Sequence, residues 1–435
     1  MFNSKTIDEL RAKAAQNGVQ LPLAEDTSAL NAPLTVGKHT LANRIAIQPM
    51  EGCDGTADGA PGELTIRRYD KFAASGAALV WFEACAVVRE GRANPRQAWL
   101  TKDNLDAYKA LNDRIRENAV KAGHKAPVII MQATHSGRYS KPDGVPAPII
   151  AYNNPLFEKD APLPADRIIT DDELYRLEDC MAASAKLAQE AGFDGVDMKS
   201  CHRYLASELL SAYTREGDFG GTYENRTRFL RESFGKAKAA VSSDFIVTSR
   251  LNVYDGFPFP YGFGVNEADG LEPDLTDGVR LVGDLKALGL ELLDITIGNP
   301  YVNPHVNRPA DWQPYEMPED PTVGLARMMH CVGTIKKAHP ELKIIGSAFS
   351  YPRVFAANLA AGAVESGICD MAGFGRMAFA YPEFAKDILS GAGLNAKKCC
   401  IACGKCSQLM RLGSTAGCVV RDPYYTKLFK ELTSK

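Results

Sequence analysis

The 435-residue sequence lacks the features that mark membrane, secreted and nucleic-acid-binding proteins. No stretch approaches the roughly 18 consecutive apolar residues of a transmembrane helix. The polar N-terminal residues contain no apolar core of a signal peptide, so we expect a cytoplasmic protein. Lys plus Arg (50) and Asp plus Glu (53) nearly balance at a net charge of −3, so we expect no nucleic-acid or membrane partner.

The sequence also lacks a G-x-G-x-x-G fingerprint, which argues against an open doubly wound sheet. Eight short apolar runs alternate instead with helix-length amphipathic segments, several of which end in Ala-Gly or Leu-Gly. Repeated strand–helix units with strands apolar on both faces predict a closed (β/α)8 TIM barrel. The predicted strands are residues 44–49, 79–85, 127–134, 195–200, 245–251, 292–298, 343–348 and 371–376.

A barrel of this kind carries its active site at the C-terminal ends of the strands. Arg250 ends the fifth strand, where a buried cation is costly unless it faces an anion or an electron-rich ring; an Arg at an exposed edge is the alternative. Arg376 ends the eighth strand. Together with backbone N–H groups of Ser347, Ala348 and Phe349, Arg376 can hold a phosphate.

A polar group follows the fourth strand. Lys199, His202 and Tyr204 can act as donors to a substrate oxygen, and a Tyr held near cations is a reasonable general acid. A solvated polar turn is the alternative. Arg203 adds a further cation, and the group suggests a bulky substrate that is anionic or bears a carbonyl.

Two long excursions interrupt the strand–helix pattern, at residues 136–167 and 252–274. The second carries five aromatic residues. Loops of this length serve as lids or binding walls, or they decorate the barrel and pack on their own aromatics; both interpretations stay open.

Five of the 11 cysteines fall within the last 37 residues. Cys400, Cys403, Cys406 and Cys418 can close on one compact cluster, and three of them share a tight turn without a nearby His. This spacing favours iron–sulfur over tetrahedral zinc. Cys399 is an alternative to Cys400 as the first ligand. We therefore predict a barrel at residues 1–395 and an iron–sulfur extension at 396–435.

Several motifs then occur in the order known from one family. Residues 43–50 (NRIAIQPM), 91–95 (GRANP), 132–138 (QATHSGR), 194–197 (DGVD) and 220–229 (GGTYENRTRF) resemble those of the old yellow enzyme family of FMN barrels. With the cysteine cluster, the chain resembles the iron–sulfur branch of that family. This branch includes 2,4-dienoyl-CoA reductase, 2-enoate reductase and trimethylamine dehydrogenase.

The resemblance implies two cofactors, FMN and a 4Fe–4S cluster. Gln132 would meet the pyrimidine edge of the flavin, Arg250 its N1–O2 side, and Arg376 with Gly375 its phosphate. The implied catalytic group is Tyr204 as the acid, supported by His305, with His202 and Lys199 beside it. The full set of implied FMN contacts is Pro49, Met50, Glu51, Ala84, Gln132, Arg250, Ser347, Ala348, Phe349, Gly375 and Arg376.

The implied activity is ene-reduction, in which hydride passes from FMN N5 to the activated C=C of an enone- or enoate-like substrate. Because no FAD- or NAD-binding domain follows the cysteines, we expect electrons from a separate ferredoxin-like, flavodoxin-like or NAD(P)H-oxidising protein. An oxidative amine demethylase resembling trimethylamine dehydrogenase is the alternative, and an electron-carrier subunit is a third reading. Glu51 holds the place of that enzyme's flavin-linking cysteine, so no covalent flavin is expected. The sequence is compatible with a homo-oligomer.

Overall fold

The computed structural model describes residues 2–434 and confirms the closed barrel. The ten strands of these residues are β1 (Leu34–Val36), β2 (His39–Leu41), β3 (Ile45–Ile47), β4 (Leu79–Ala86), β5 (Val128–Thr134), β6 (Gly195–Met198), β7 (Ile246–Asn252), β8 (Leu292–Thr296), β9 (Lys343–Gly346) and β10 (Met371–Phe374). Strands β3 to β10 are parallel neighbours in chain order, and β10 pairs with β3 to close the ring. All eight predicted barrel strands are confirmed, each within a few residues of its predicted ends.

Helices connect the strands on the outside of the barrel. In residues 2–434 they are α1 (Ile7–Gln16), α2 (Glu63–Ala73), α3 (Leu105–Lys121), α4 (Pro155–Glu158), α5 (Asp171–Glu190), α6 (Leu205–Leu210), α7 (Tyr223–Ala240), α8 (Thr276–Ala287), α9 (Pro304–Asn307), α10 (Pro321–Ala338), α11 (Ala356–Glu365), α12 (Arg376–Ala380), α13 (Phe384–Leu389), α14 (Lys405–Arg411) and α15 (Pro423–Thr433). Helix α5 begins at a capping box, in which Thr170 Oγ1 accepts from Glu173 N at 3.2 Å and Glu173 Oε2 accepts from Thr170 N at 2.9 Å. None of the helices in this range has both the length and the hydrophobicity that a membrane span requires.

The short antiparallel hairpin β1–β2 precedes the barrel and was not predicted. Its buried side chains Leu34, Val36 and Leu41 belong to one small apolar cluster with Leu79 and Ile130 of the barrel strands. This cluster takes every second residue of the strands, and those residues point into the barrel. The hairpin therefore closes the N-terminal end of the barrel, and only the opposite end remains open for a site.

The same alternation continues toward the C-terminal ends of the strands, where the inward residues become polar. A strand turns successive side chains to opposite faces, so Ile130 is followed on the inner face by Gln132, and Leu292 is followed by Asp294. The buried polar residues of this inner layer are Gln48, Gln132, Asp197, Arg250, Asp294 and Ser347. The barrel is thus apolar at its closed end and polar at its open end.

The C-terminal segment packs back against this open end. Asp422 accepts hydrogen bonds from Arg67 at 2.9 Å and from Lys71 at 2.6 Å, both on helix α2. Ala416 N and Thr415 Oγ1 each donate to Gly52 O at 2.7 Å. These contacts place the cysteine-rich segment beside the loop that follows β3. The division of the chain at residues 395 and 396 stays a prediction.

Candidate functional site

The polar inner layer is one hydrogen-bonded network that orients Gln132 and Arg250. Asp197 Oδ2 accepts from Gln132 Nε2 at 2.6 Å, and its Oδ1 accepts from Arg250 N at 2.6 Å. Asp294 accepts from Gln48 Nε2 at 2.9 Å and lies 3.1 Å from Arg250 Nε. Pairing across β5–β6 and β7–β8 sets these partners opposite each other. Burial raises the pKa of Asp197 to about 7 and that of Asp294 to about 6.

The Arg250 guanidinium has an ion-pair partner in Asp294 but no aligned hydrogen bond to it. Its Nε and the facing Asp294 Oδ2 are buried, and neither has an aligned hydrogen-bond partner within residues 2–434. The side chain lines the open end of the barrel while its backbone is fixed by Asp197. A buried cation with unused donors is suited to a polar ligand edge placed against it.

Two adjoining cavities with empty volumes of about 730 and 640 Å³ form one cleft at this end of the barrel. They share Arg250, Arg308 and His202 among their walls. Ala84 and Phe349, both expected at the site, are fully buried and line neither cavity. The predicted FMN contacts that do line the cleft are Pro49, Met50, Glu51, Gln132, Arg250, Ser347, Ala348, Gly375 and Arg376.

Three arginines converge on the cavity of about 640 Å³, which is the inner cleft; the cavity of about 730 Å³ is the outer cleft. Arg308 lies beside Arg250 and Arg376 in the lining of the inner cleft and donates to Ser407 Oγ at 2.8 Å. Burial and the nearby Arg376 cation lower the pKa of Arg308 to about 10. Gly375 allows Met50 to pack closely against the wall here, because a Cβ at this position would lie 2.8 Å from Met50 Sδ. The concentration of positive charge favours an anionic group such as a phosphate.

The loop after β3 is held by a buried ion cluster. Arg68 pairs with Asp54 at 2.8 Å and with Glu83, and Glu83 Oε2 accepts from Gly52 N at 2.8 Å. Because all three charged side chains are almost fully buried, the loop has one defined position. This fixes Met50 and Glu51 at the edge of the cleft.

The Tyr204 hydroxyl lies at the centre of a polar group on the cleft wall. It donates to Glu51 at 3.1 Å and lies 3.2 Å from the Tyr301 hydroxyl. Lys199 Nζ lies 3.8 Å from Glu51 and 3.7 Å from the centre of the Tyr204 ring. Burial, and next the Glu51 carboxylate, raise the pKa of Tyr204 well above its ordinary value. The phenol therefore stays protonated over the physiological range.

His202 lines both cavities and has a free ring nitrogen. Its Nε2 is buried and has no hydrogen-bond partner in the described part of the chain. Burial, and then the Arg250 and Lys199 cations, lower its pKa well below the ordinary value, so the imidazole is neutral. The residue sits at a φ of 64°, in the left-handed region, at the turn between β6 and α6. Lys199 and His202 thus bring one charged and one neutral group to the same wall.

Two residues that the sequence suggested for this group lie elsewhere. His305 lines neither cavity, and its ring is hydrogen-bonded to the Tyr315 hydroxyl at 2.8 Å. The contacts expected from His305 to Tyr204 are made instead by Tyr301 and Glu51. The suggestion that Arg203 faces the substrate was wrong. Its side chain is completely buried and pairs with Asp255 at 3.1 Å.

The aromatic residues of the long excursion at residues 252–274 pack on neighbouring segments of the chain. Phe257 contacts Phe157 of the other excursion, with ring centroids 5.7 Å apart, and Phe259 packs on Tyr213 at 4.9 Å. None of the five aromatic residues of this segment lines the cleft. Of the two interpretations left open, barrel decoration is favoured for this excursion, with its rings packed on other segments and not on each other. The Arg203–Asp255 pair fastens this decoration to the turn after β6.

The four predicted cluster ligands line one separate cavity of about 360 Å³. Ala402 N donates to Cys400 Sγ at 3.4 Å, and Ala402 at φ 52° and Gly404 at φ 71° curl the backbone around the sulfur. Burial raises the pKa of Cys400 to about 12. Among residues 2–434, no group of three or more His, Cys, Asp and Glu side chains is arranged to hold a metal ion.

Cys399 and Cys400 differ in their surroundings although both line this cavity. Cys400 is half-buried and lines the cavity together with Cys403, Cys406 and Cys418. Burial raises the pKa of Cys399 to about 11, and the Arg421 and Arg353 cations oppose this shift. Cys399 is also completely buried in the main core.

The cysteine cavity and the cleft share a wall. Cys406 and Phe379 line both spaces, and Arg376 lines both the cysteine cavity and the inner cleft. Helix α14, which carries Cys406, also contributes Met410 and Arg411 to the outer cleft. A redox group in the cysteine cavity would therefore lie directly against a ligand in the cleft.

Asp197, Asp294 and Arg308 were not predicted as site residues, although one signal was available for the first two. Gln132 and Arg250 were selected as strand-end residues, and residues two positions apart on a strand share a face. Applying that alternation to β6 and β8 would have selected Asp197 and Asp294. Arg308 lies in an irregular loop, for which no such rule exists.

Known proteins with similar sequences include two enzymes with different names. The NADPH dehydrogenase of Halalkalibacterium halodurans is 29% identical over 265 residues, which cover 60% of this chain and 70% of that protein. The N,N-dimethylglycine/sarcosine dehydrogenase of Chromohalobacter salexigens is 29% identical over 233 residues, which cover 51% of this chain and 32% of that protein.

Solved structures share the fold over nearly the whole chain. A 2-naphthoyl-CoA reductase in complex with 2-naphthoyl-CoA has a TM-score of 0.75 at 21% identity, covering 93% of this chain and 58% of that one. Histamine dehydrogenase from Rhizobium sp. 4-9 has a TM-score of 0.69 at 18% identity, covering 92% and 53%. The chain spans little more than half the length of each of these two proteins.

The profile of one family matches residues 29–262, which is more than half of the chain. The match confirms the resemblance drawn from the motifs and, with it, the prediction of an FMN-dependent oxidoreductase. The chain belongs to the NADH:flavin oxidoreductase / NADH oxidase family.

Proposed function

We propose that this protein is an FMN- and 4Fe–4S-dependent ene-reductase with Tyr204 as its proton donor. Its substrate would carry an activated C=C of the enone or enoate type. The observation that carries the proposal is the Tyr204 hydroxyl, which is buried at the cleft wall, kept protonated, and held by Glu51 and Tyr301. A protonated phenol at this place can supply the proton that the carbon next to the hydride acceptor needs.

The inner cleft fits FMN on three grounds. Arg250 lines the cleft from a buried ion pair with Asp294, three arginines converge on one region, and Gly375 lines the same region with backbone alone. Gln132 and Arg250 would hold the polar edge of the flavin, and Arg376, with Ser347 and Ala348, its phosphate. FMN, when bound, supplies the hydride. Ala84 and Phe349 would support the wall from behind rather than contact the cofactor.

The outer cleft supplies binding groups for the substrate. The Lys199 ammonium and the neutral His202 ring can both donate to a carbonyl or carboxylate oxygen, which polarises the conjugated double bond. Tyr204 lies beside them and donates the proton. We propose no role in this step for His305, because its ring is engaged with Tyr315 outside the cleft.

The cysteine cavity would hold the 4Fe–4S cluster through Cys400, Cys403, Cys406 and Cys418. A tetrahedral zinc ion with Zn–S bonds of about 2.3 Å needs sulfurs only about 3.8 Å apart, whereas a cubane cluster separates its thiolates more widely. We favour the cluster because three of the four cysteines share one turn and all four line one cavity. Residues 396–435 would act as the cluster-bearing unit, fed by a separate electron donor.

The test of Tyr204 is a single-turnover experiment. We expect Tyr204→Phe to slow reoxidation of the reduced protein by 2-cyclohexenone or cinnamate by about 10²- to 10⁴-fold. Tyr139→Phe is the matched control, because Tyr139 stacks on Tyr301 at 4.0 Å but its hydroxyl bonds Asn299. Unaltered reoxidation of Tyr204→Phe would refute the acid role.

The test of the cluster is a comparison of two neighbouring cysteines. Anaerobically purified protein should contain iron and sulfide at about four each per chain. Cys400→Ser should lower both, whereas Cys399→Ser should retain them, because Cys399 is completely buried in the main core and Cys400 is half-buried at the cavity with the other three cysteines. Zinc in place of iron, or equal losses in both variants, would contradict the assignment.

Oxidative amine dehydrogenation is the second candidate function. Tyr139, Tyr204 and Tyr301 form a cluster of rings that suits a cationic amine, and one relative is named N,N-dimethylglycine/sarcosine dehydrogenase. Lys199 opposes it, because its ammonium already lies over the Tyr204 ring. Reduction of the oxidised protein by dimethylglycine, with no reoxidation of the reduced protein by enones, would establish this alternative. Relatives named NADPH dehydrogenase make NADPH the donor to compare with the protein carrier.

A further inference from the structure

A shallow depression open to solvent adjoins the cysteine cavity on the side away from the cleft. It has an empty volume of about 790 Å³ and is lined by Arg421, Lys427 and Lys430, with Glu431 as the one carboxylate. Val420 and Arg421 line both this depression and the cysteine cavity. The depression, the cysteine cavity and the cleft are therefore consecutive spaces, each separated from the next by shared side chains.

The segment that lines this depression differs in charge from the rest of the sequence. Eight of the 50 Lys and Arg residues and two of the 53 Asp and Glu residues lie in residues 396–435, so this segment carries +6 and the remainder −9. One of the two acids, Asp422, is buried against Arg67 and Lys71. The solvent-facing charge of the segment is thus almost entirely positive.

Apolar side chains accompany this charge. Val420, which lines the depression, is exposed by 36%, and Tyr424, next to Pro423 of the lining, by 46%. Encounters between electron-transfer proteins bury small areas and depend on charge for orientation and speed. A few apolar contacts within a basic surface are suited to such a short-lived complex.

We propose that this depression is the docking surface for an acidic one-electron carrier protein, an inference that rests on the proposed 4Fe–4S cluster. Each encounter transfers one electron from the reduced carrier, which is oxidised, to the cluster, which is reduced. Two encounters supply the two electrons that one C=C reduction consumes. The two protons come from solvent, one of them through Tyr204.

The test uses the holoprotein and a flavodoxin of net negative charge that is reduced photochemically. Lys427→Glu/Lys430→Glu reverses two cations of the depression, and Lys121→Glu/Lys186→Glu is the matched control with the same change in net charge. Lys121 and Lys186 lie near the C-terminal ends of α3 and α5, at the closed end of the barrel. Stopped-flow absorbance follows cluster reduction under anaerobic conditions.

At low ionic strength we expect the second-order rate constant of the docking variant to fall about tenfold or more, while the control changes less than about twofold. The difference should shrink at about 0.5 M salt because the charges are screened. Equal rates in the two variants would overturn the proposal. So would a variant that loses binding to phosphatidylserine vesicles while its flavodoxin rate is unchanged, which would assign the surface to lipid.

Dithionite separates failure of the docking surface from failure of the cluster. It is small and needs no docking site, so it should reduce the wild type and both variants at the same rate. If dithionite reveals no reducible iron–sulfur centre in any of them, the proposed cluster fails and the docking surface fails with it. If dithionite succeeds and the flavodoxin rates do not distinguish the variants, only the docking surface is refuted.

Discussion

The buried Arg203–Asp255 pair gives the sharpest test of how the structure assigns fold and function. Arg203 donates to Asp255 at 3.1 Å, to Ser211 Oγ at 2.5 Å and to Tyr261 O at 3.0 Å, and neither charged side chain is exposed. Replacing Arg203 with Met would leave the Asp255 carboxylate buried without its cation. Removal of one partner of a buried pair costs about 3–5 kcal/mol.

This cost converts into a measurable change in thermal stability. For a chain of 435 residues, an unfolding entropy of about 2.1 cal/mol/K per residue amounts to about 0.9 kcal/mol/K. We therefore expect Arg203→Met to lower Tm by about 3–6 °C in calorimetry at pH 8. Adding Asp255→Asn should recover part of the loss, because the double variant no longer buries an unpaired charge.

The effect should also depend on pH. Burial raises the pKa of Asp255, and removing Arg203 raises it further because the cation opposes that shift. A raised pKa in the folded state means that stability is highest at low pH and is lost as pH rises through the folded value. Arg203→Met should therefore be less destabilised at pH 5.5 than at pH 8. An unchanged Tm together with a raised KM would refute this reasoning and return Arg203 to the substrate site.

Three further measurements test other parts of the structure. The NMR ring resonances of His202 should stay those of a neutral imidazole from pH 8 to pH 5.5. His202→Gln should reduce the loss of stability below pH 6.5, because only the unfolded chain takes up a proton at His202 in that range. A titration of the ring near pH 6.5 would contradict this. Gly373→Ala should lower the free energy of unfolding in urea by about 1–3 kcal/mol, because its Cβ would lie 2.6 Å from Gln48 Nε2, and an unchanged midpoint would show that Gln48 can move. Burial raises the pKa of Asp422, but the hydrogen bonds from Arg67 and Lys71 outweigh burial, so the pKa is lowered overall. Asp422→Asn should therefore cost about 1 kcal/mol at pH 7 and little near pH 3. A cost independent of pH would exclude the ion pair as its cause.

The barrel was predictable because its signal is repeated. The strand–helix unit recurs eight times along the chain, so an error in one unit does not change the fold class. The hairpin β1–β2 was missed because each of its strands has only three residues, too few for a period to appear. Its closing of the barrel depends on contacts with residues far along the chain.

The site was predictable where regular strands hold it, and less so at irregular turns. Gln132 and Arg250 lie on strands, and their direction follows from alternation. His202 and Arg203 are adjacent in a turn, and both adopt positive φ, at 64° and 57°. This local geometry directs His202 into the cleft and Arg203 into the core. Composition and spacing contain no information on that choice, so Arg203 was placed with its neighbour.

Helix α14 contributes residues to both the cysteine cavity and the outer cleft, so a change at one should affect the other. It carries Cys406 of the cysteine cavity and also Met410 and Arg411, which border the space for substrate. Air that dismantles the proposed iron centre would release this helix from its anchor and so deform the entrance through which the substrate passes. A protein oxidised in this way would then lose substrate selectivity as well as its supply of electrons. Reconstitution of the cluster with iron and sulfide should restore both together.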